Sequence, residues 1–316
     1  MAIEADNRDA FLRGIHVIDG GLASELEYLG AGIDGPLWSA HVLEDEPEKV
    51  AAVHRAFILA GAQCIATCSY QVSRMGYAEV GLSPERADAA LLRSVELARS
   101  VVAEFDGRRV LVAGSLGPYG AALHNGAEYT GDYNCTYSEL VQFHRERIEV
   151  FAAATGAQAP DLLAFETFPS LEEVRAVGET LASWPALRAW FSFSCRDEEH
   201  VSHGESLAEC AGVVAAFPQT AAIGVNCVPP KWIPSLIAQL RTASDKPVLV
   251  YPNSGEGWDA AARCWTGNTD PDDFGMRAAD WFRAGAQIVG GCCRTRPAHI
   301  REVAQAAARV LKPLPS

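Results

Sequence analysis

The chain has 316 residues, 49 % of them apolar, and 26 basic against 40 acidic groups give a net charge of −14. That balance excludes a nucleic-acid partner, because no basic stripe is present to neutralise phosphates, and it suits a soluble, weakly self-associating protein. Nine cysteines, an odd number in a mid-sized chain, read as reduced thiols and not as a disulfide framework. The acidic start Met1-Ala2-Ile3-Glu4-Ala5-Asp6 has neither the positive charge nor the apolar stretch of a signal peptide. No apolar run approaches the roughly 20 residues needed to span a membrane, so a cytoplasmic protein without membrane contact is expected.

In chain order, Ile15–Asp19 predicts a first strand and Pro47–Ala60 a helix, and Gln63–Thr67 with Pro84–Glu104 repeats the pair. The strand Val110–Ser115 is followed by Gly117–Tyr133, rich in glycine and aromatics and without a long periodic segment. It reads equally as an active-site loop or a decorative one. Helix Tyr137–Thr155, strand Leu162–Glu166, helix Leu171–Ala182, strand Ala189–Ser194 and helix Leu207–Ala216 come next. Strand Ala221–Asn226, helix Lys231–Ala243, strand Pro247–Tyr251, helix Pro271–Ala284, strand Gln287–Gly290 and helix Pro297–Leu311 complete the series. The strand candidates are nearly continuous in apolar character, as strands buried on both faces are. Several helices open with proline in the first turn or behind a serine or aspartate cap. Eight such alternations predict an α/β fold, a single (β/α)8 TIM-type barrel forming one domain over residues 1–316. Strand order is not legible directly, so an open doubly wound sheet is the alternative; Asp19-Gly20-Gly21 lacks its dinucleotide fingerprint.

In barrels the chemistry sits at the C-terminal strand ends. Those ends carry Asp19, Thr67 with Ser69 and Gln71, Ser115, Glu166, Ser194, Asn226 with Cys227, Tyr251 with Asn253, and Cys292 with Cys293. Adjacent cysteines cannot close an ordinary disulfide without strain, and bare thiols pack no better than alanine or valine. Three thiolates on Zn²⁺, with the fourth position open to substrate, would make chemical sense of Cys227, Cys292 and Cys293. His200 and His203 sit among Arg196-Asp197-Glu198-Glu199 and read as a solvated loop. Of the other cysteines, Cys68 and Cys195 lie nearest strand ends and are expected to border the pocket.

The assembly closely resembles the homocysteine S-methyltransferase family, zinc-dependent enzymes that methylate homocysteine to methionine. The matching blocks are Asp19-Gly20-Gly21-Leu22-Ala23-Ser24-Glu25-Leu26, Pro36-Leu37-Trp38-Ser39-Ala40, Ala60-Gly61-Ala62-Gln63-Cys64 and Thr67-Cys68-Ser69-Tyr70-Gln71. Further blocks are Gly114-Ser115-Leu116-Gly117-Pro118-Tyr119-Gly120, Phe165-Glu166-Thr167, Gly224-Val225-Asn226-Cys227, Val250-Tyr251-Pro252-Asn253-Ser254-Gly255-Glu256 and the double-cysteine segment. The stretch from Ser115 to Tyr133 is similar to the short branch, which implies S-methylmethionine or S-adenosylmethionine as donor. Betaine-using relatives carry a long C-terminal extension, whereas this sequence stops at Ser316 soon after its last helix. Betaine is accordingly the alternative donor, and a monomer or small homo-oligomer is expected.

The resemblance implies that Glu166 binds the α-ammonium of homocysteine, with Asp19 as its partner through its side chain or the adjoining Gly20 and Gly21 backbone. Trp38 is a candidate wall for the cationic donor through cation–π attraction of roughly 0.5–2 kcal/mol. Asn226, with Ser254 or Asn253, is expected to orient substrate and ligands. Tyr251 and Gln71 face the same rim, and either of them or water would fill the fourth zinc position before substrate arrives. A free thiol is only about 3 % thiolate at pH 7, a deficit that zinc removes, while positioning supplies most of the remaining acceleration. Competing readings are a zinc hydrolase on the same barrel, which would rely on histidine and carboxylate ligands, and a non-enzymatic metal-binding protein.

Overall fold

Parallel strands β1 (His16–Val17), β2 (Cys64–Ala66), β3 (Leu111–Leu116), β4 (Leu162–Phe168), β5 (Ala189–Phe193), β6 (Thr220–Asn226), β7 (Val248–Tyr251) and β8 (Ile288–Val289) form one sheet. The computed structural model describes residues 16–33, 37, 39–259, 264–266 and 270–311. The strand order is β1-β8-β7-β6-β5-β4-β3-β2, and every neighbouring pair is parallel. A parallel bridge from Ile18 to Cys64, with Asp19 N–H donating to the Cys64 carbonyl at 3.1 Å, brings β1 and β2 together and closes the ring. Helices follow the strands, as the right-handed parallel crossover requires. The fold is the expected (β/α)8 barrel, and the open-sheet alternative is set aside by the β1–β2 closure.

Period-2 alternation divides the apolar residues into two layers. Ile18, Cys64, Leu111, Ala113, Leu162, Ala164, Trp190, Ala222, Leu249, Tyr251 and Ile288 pack together inside the barrel. Their alternates, such as Val112, Leu163, Phe165, Phe191, Ile223, Val248 and Val250, pack outward against the helices. Gly224 lies in the inward series of β6, and a Cβ there would strike the Leu249 carbonyl, so this close strand approach needs glycine.

The element boundaries differ from expectation where local periodicity is short. The first and last strands shrink to two residues each, and Ile15 lies outside the described residues. Four short helices, Leu22–Tyr28, Ser39–Asp45, Arg74–Glu79 and Tyr119–Ala122, were not anticipated. Each is seven residues or fewer, too short for a 3.6-residue repeat to declare itself. An antiparallel pair, Gly257–Asp259 with Cys264–Thr266, follows β7.

Candidate active site

The inward alternation that fills the barrel continues past its apolar layers and becomes polar at the C-terminal rim. On β3 it runs Leu111, Ala113, Ser115; on β4 Leu162, Ala164, Glu166; on β6 Ala222, Gly224, Asn226. These residues, with Asp19, Thr67, Tyr251 and the three cysteines, line a cavity of about 720 Å³.

Cys227 comes immediately after Asn226, so alternation alone would turn it outward. Its backbone instead takes φ +56°, in the left-handed region, and its Sγ lies 3.3 Å from the Cys293 Sγ. Cys227, Cys292 and Cys293 place their sulfurs within 4.8 Å of one another, the one grouping among the described residues dense enough to hold a metal ion. Tetrahedral sites with Zn–S bonds of about 2.3 Å separate their sulfurs by about 3.8 Å, so the donor set fits such an ion. Hydrogen bonds from Cys292 and Cys293 hold the Cys227 thiol below its ordinary range, and the same contacts with Cys227 push Cys292 and Cys293 up. Three thiols this close cannot all lose their protons unless a cation joins them.

The double-cysteine segment is fixed from two sides. Cys292 N–H donates to the Pro252 carbonyl at 2.8 Å, Cys293 N–H to Asn253 Oδ1 at 3.2 Å, and Ser254 N–H to the Cys293 carbonyl at 3.0 Å. Gly291 N–H donates to the Asp19 carbonyl at 3.0 Å, and Gly21 N–H to the Thr295 carbonyl and Oγ1 at 3.2 and 3.0 Å. A Cβ at Gly21 would collide with the Cys292 carbonyl.

Glu166 accepts a short hydrogen bond from Ser115 Oγ, and Tyr251 also bonds to it; burial pushes its carboxyl up to about 7 against those contacts. Asp19 Oδ2 accepts from Ala66 N–H at 2.8 Å, and burial, with Glu166 adding like charge, raises its carboxyl well above the usual range. Two hard-to-ionise carboxyls in a cavity with three thiols could be matched by an arriving positively charged group, which would favour their ionised forms. Asn226 Oδ1 accepts from Thr167 N–H and Ser192 Oγ, both at 2.8 Å, while its Nδ2 reaches Thr167 Oγ1 at 2.7 Å and Cys292 Sγ at 3.8 Å. Thr167 has φ +64°, costly for a β-branched residue, at the irregularity where the β4–β5 register shifts between Phe165 and Phe168.

Several expected site residues stand elsewhere or act otherwise. Gln71 does not line the cavity: its Nε2 reaches the Ala121 carbonyl at 3.4 Å and His124 Nδ1 at 3.5 Å, and Tyr70 lines the cavity in its place. Ser254 and Asn253 brace the cysteine segment through the bonds given above, and neither lines the cavity. Gly20 and Gly21 line it, but the Gly21 N–H is engaged by Thr295 and so is not a donor to substrate. The Tyr251 hydroxyl is held by Ser192 and by Trp190 Nε1, the latter at 3.2 Å. Trp38 lies outside the described residues. Cys68 borders the cavity and Cys195 does not. His200 and His203 pair with Asp197 and Glu205, each at 3.0 Å, outside the cavity lining.

Glu128 and Tyr129, also in the lining, come from the loop between β3 and helix Tyr137–Ala153. The Tyr129 hydroxyl lies 3.2 Å from Cys227 Sγ, and burial pushes the Glu128 carboxyl up to about 7. No periodicity marks these residues in the sequence; composition hinted at an active-site loop, and the resemblance of Ser115 to Tyr133, with Glu128-Tyr129, to the short branch of the family was the other signal. The loop is anchored from below by a buried network. Glu173 accepts from Tyr119 N–H at 2.5 Å, from Tyr133 OH at 2.9 Å and pairs with His144 Nε2 at 2.9 Å; Arg147 donates to the Gly117 carbonyl at 2.8 Å. Glu173→Ala would strand Arg147 and His144 in the interior, so a loss of about 3–5 kcal/mol is expected in chemical denaturation. A loss below about 1 kcal/mol would mean that the network carries no net stability.

A sequence profile described as homocysteine S-methyltransferase matches residues 16–307. The chain is 42 % identical over 304 residues to homocysteine S-methyltransferase YbgG of Bacillus subtilis, covering 94 % of this chain and 95 % of that one. It is 42 % identical over 295 residues to the homocysteine S-methyltransferase of Escherichia coli, covering 90 % and 93 %. The crystal structure of the metallated form of E. coli homocysteine methyltransferase MmuM superposes with a TM-score of 0.81 at 39 % identity, over 93 % of this chain and 96 % of that one. Sequence, fold and a thiol cluster at the barrel mouth agree that this chain belongs to the homocysteine S-methyltransferase family.

Proposed function

We propose that the protein transfers a methyl group from a sulfonium donor, S-methylmethionine or S-adenosylmethionine, to the thiol of homocysteine, and that it uses Zn²⁺. The observation that carries the reading is the convergence of three cysteine sulfurs within 4.8 Å in a cavity that also holds buried Asp19 and Glu166. Cys227, Cys292 and Cys293 would hold the ion, whose chemistry is to keep an incoming thiol ionised near neutral pH. An all-sulfur donor set also disfavours a hydrolase, which would draw on histidine and carboxylate ligands.

Glu166, braced by Ser115, receives the α-ammonium of homocysteine, with Asp19 supplying the second carboxyl. Asn226 orients Cys292 and locks Thr167. With the acceptor so held, its sulfur attacks the methyl carbon in line. The new S–CH₃ bond forms as the old one breaks, and the electron pair of the old bond stays on the donor sulfur, which becomes a neutral thioether. The thiol proton has already passed to solvent on binding. The step annihilates charge, so no general acid is needed and a dry pocket assists it.

The family match over residues 16–307 supports reading 1–316 as one barrel domain. Among the described residues no helix is long and apolar enough to cross a membrane. The reaction needs reduced thiols, which supports a cytoplasmic setting.

The test is methionine formation by zinc-loaded protein from homocysteine, with S-methylmethionine, S-adenosylmethionine and betaine offered separately and metal content measured on the same sample. Turnover with a sulfonium donor, lost on chelation and regained with Zn²⁺, is the expected result. Turnover with betaine alone would move the donor class, and turnover indifferent to chelation would remove the metal from the reading.

A further inference from the structure

Of the carboxyls lining the cavity, Asp19 accepts from Ala66 N–H, Glu166 from Ser115, and Glu27 faces Arg294 at 3.6 Å. Glu128 differs: its Oε2 is buried and has no hydrogen-bond partner. A buried carboxylate oxygen without a donor is costly, and the cost is relieved when a cation arrives. The cavity lining offers one cation among the described residues, Arg294, which pairs with Glu256 at 3.1 Å as well as with Glu27.

The position of Glu128 is not an accident of a loose loop. Gly120 packs so closely that a Cβ there would lie 2.5 Å from the Glu128 nitrogen and 2.6 Å from the Tyr133 ring. Ser194 Oγ donates to the Glu128 carbonyl at 3.0 Å, and the adjacent Tyr129 touches Cys227. The carboxyl, whose Oε2 is unpartnered while a bond from its own backbone N–H reaches the group, therefore belongs to a fixed frame beside the thiol centre and comes from a different element than the strand-borne Glu166.

We propose that Glu128 is the residue that selects a positively charged sulfonium over the neutral thioether left after methyl transfer. This rests on the sulfonium-donor reading above, in which the acceptor's ammonium takes Glu166 and Asp19 and the donor brings two further cations, an α-ammonium that the methionine product keeps and a sulfonium that it loses. A sulfonium has no N–H, so it asks for nearby negative charge and not for a directed acceptor, and Tyr70 and Tyr129 supply aromatic walls in the same lining. The charge disappears in the transition state. Glu128 thus strengthens ground-state donor binding, contributes little to the chemical step, and loses its hold on the product once the sulfur is neutral.

The experiment is steady-state kinetics of Glu128→Gln and Glu128→Asp in the zinc-loaded protein at saturating homocysteine, with methionine as inhibitor competitive against S-methylmethionine. In Glu128→Gln the KM for S-methylmethionine is expected to rise at least ~10-fold, with kcat unchanged or raised and the methionine inhibition constant within about 2-fold. Glu128→Asp keeps the charge and is expected to restore most of the KM. An unchanged donor KM overturns the proposal. So does an equal loss for donor and methionine, which would mean that Glu128 serves the α-ammonium or the shape that both share, or a more than tenfold fall in kcat at saturating donor. Absence of wild-type turnover with either sulfonium would instead refute the underlying function.

Discussion

Cys292→Ser is expected to lose bound zinc and methyl transfer together, with kcat/KM falling by on the order of 10³-fold or more. An unassisted thiol is about 3 % ionised at pH 7, a deficit of about 30-fold. A sulfur displaced by about 1 Å from its line of attack costs about another 10²-fold. The product of the two is about 3 × 10³. Serine preserves the volume and the backbone bond from Cys292 N–H to Pro252, so the fold is expected to survive. Metal analysis, circular dichroism and single-turnover kinetics on one preparation check all three statements. A variant that keeps a full equivalent of zinc and turns over within tenfold of wild type would remove Cys292 from the ligand set.

Glu166→Gln is expected to act on the acceptor alone. Its carboxyl is buried and bonded by Ser115 and Tyr251, and in the proposed function it takes the α-ammonium of homocysteine. Removing one partner of a buried ion pair costs about 3–5 kcal/mol, which predicts a fall in kcat/KM for homocysteine of about 10²-fold or more. The KM for the sulfonium donor and the zinc content are expected to stay within about twofold. Burial pushes Glu166 up to about 7, and the ammonium-binding form is the carboxylate. In the wild type, kcat/KM for homocysteine is therefore expected to weaken as pH falls through about 7 and to level above it. The glutamine variant has no proton to lose there, so that step should vanish from its profile. Persistence of the step would assign it to Asp19 or to a thiol.

The two variants separate the parts of the site. The cysteine change removes the nucleophile's activation for every acceptor, whereas the glutamate change weakens one substrate and leaves the other, a division read from KM against kcat. Glu128→Gln completes the set from the donor side.

The sequence by itself determined the alternation of strands and helices, because each apolar run is buried on both faces, while closure of the sheet into a barrel was decided by the tertiary contact of Ile18 and Asp19 with Cys64. It also determined the three thiols, since adjacent cysteines at one strand end and a third at another have no packing reason to be there. Glu166, Asn226 and Tyr251 were legible by the same logic, since inward parity runs uninterrupted from the apolar core to the rim, whereas Asp19 directly follows inward Ile18 and was legible only as a strand end; all four line the cavity. Only the tertiary structure decided what breaks that parity. Cys227 reaches the cluster through a left-handed backbone, and Thr167 lines the cavity through another. Gln71, Asn253 and Ser254 stand at strand ends yet do not line the cavity, because where a chain turns after a strand depends on what it packs against. Glu128 and Tyr129 reach the site from a loop without periodicity, held by Gly120, Ser194 and the buried Glu173 network. Loop placement of this kind comes from contacts distant in sequence, and local pattern carries no record of them.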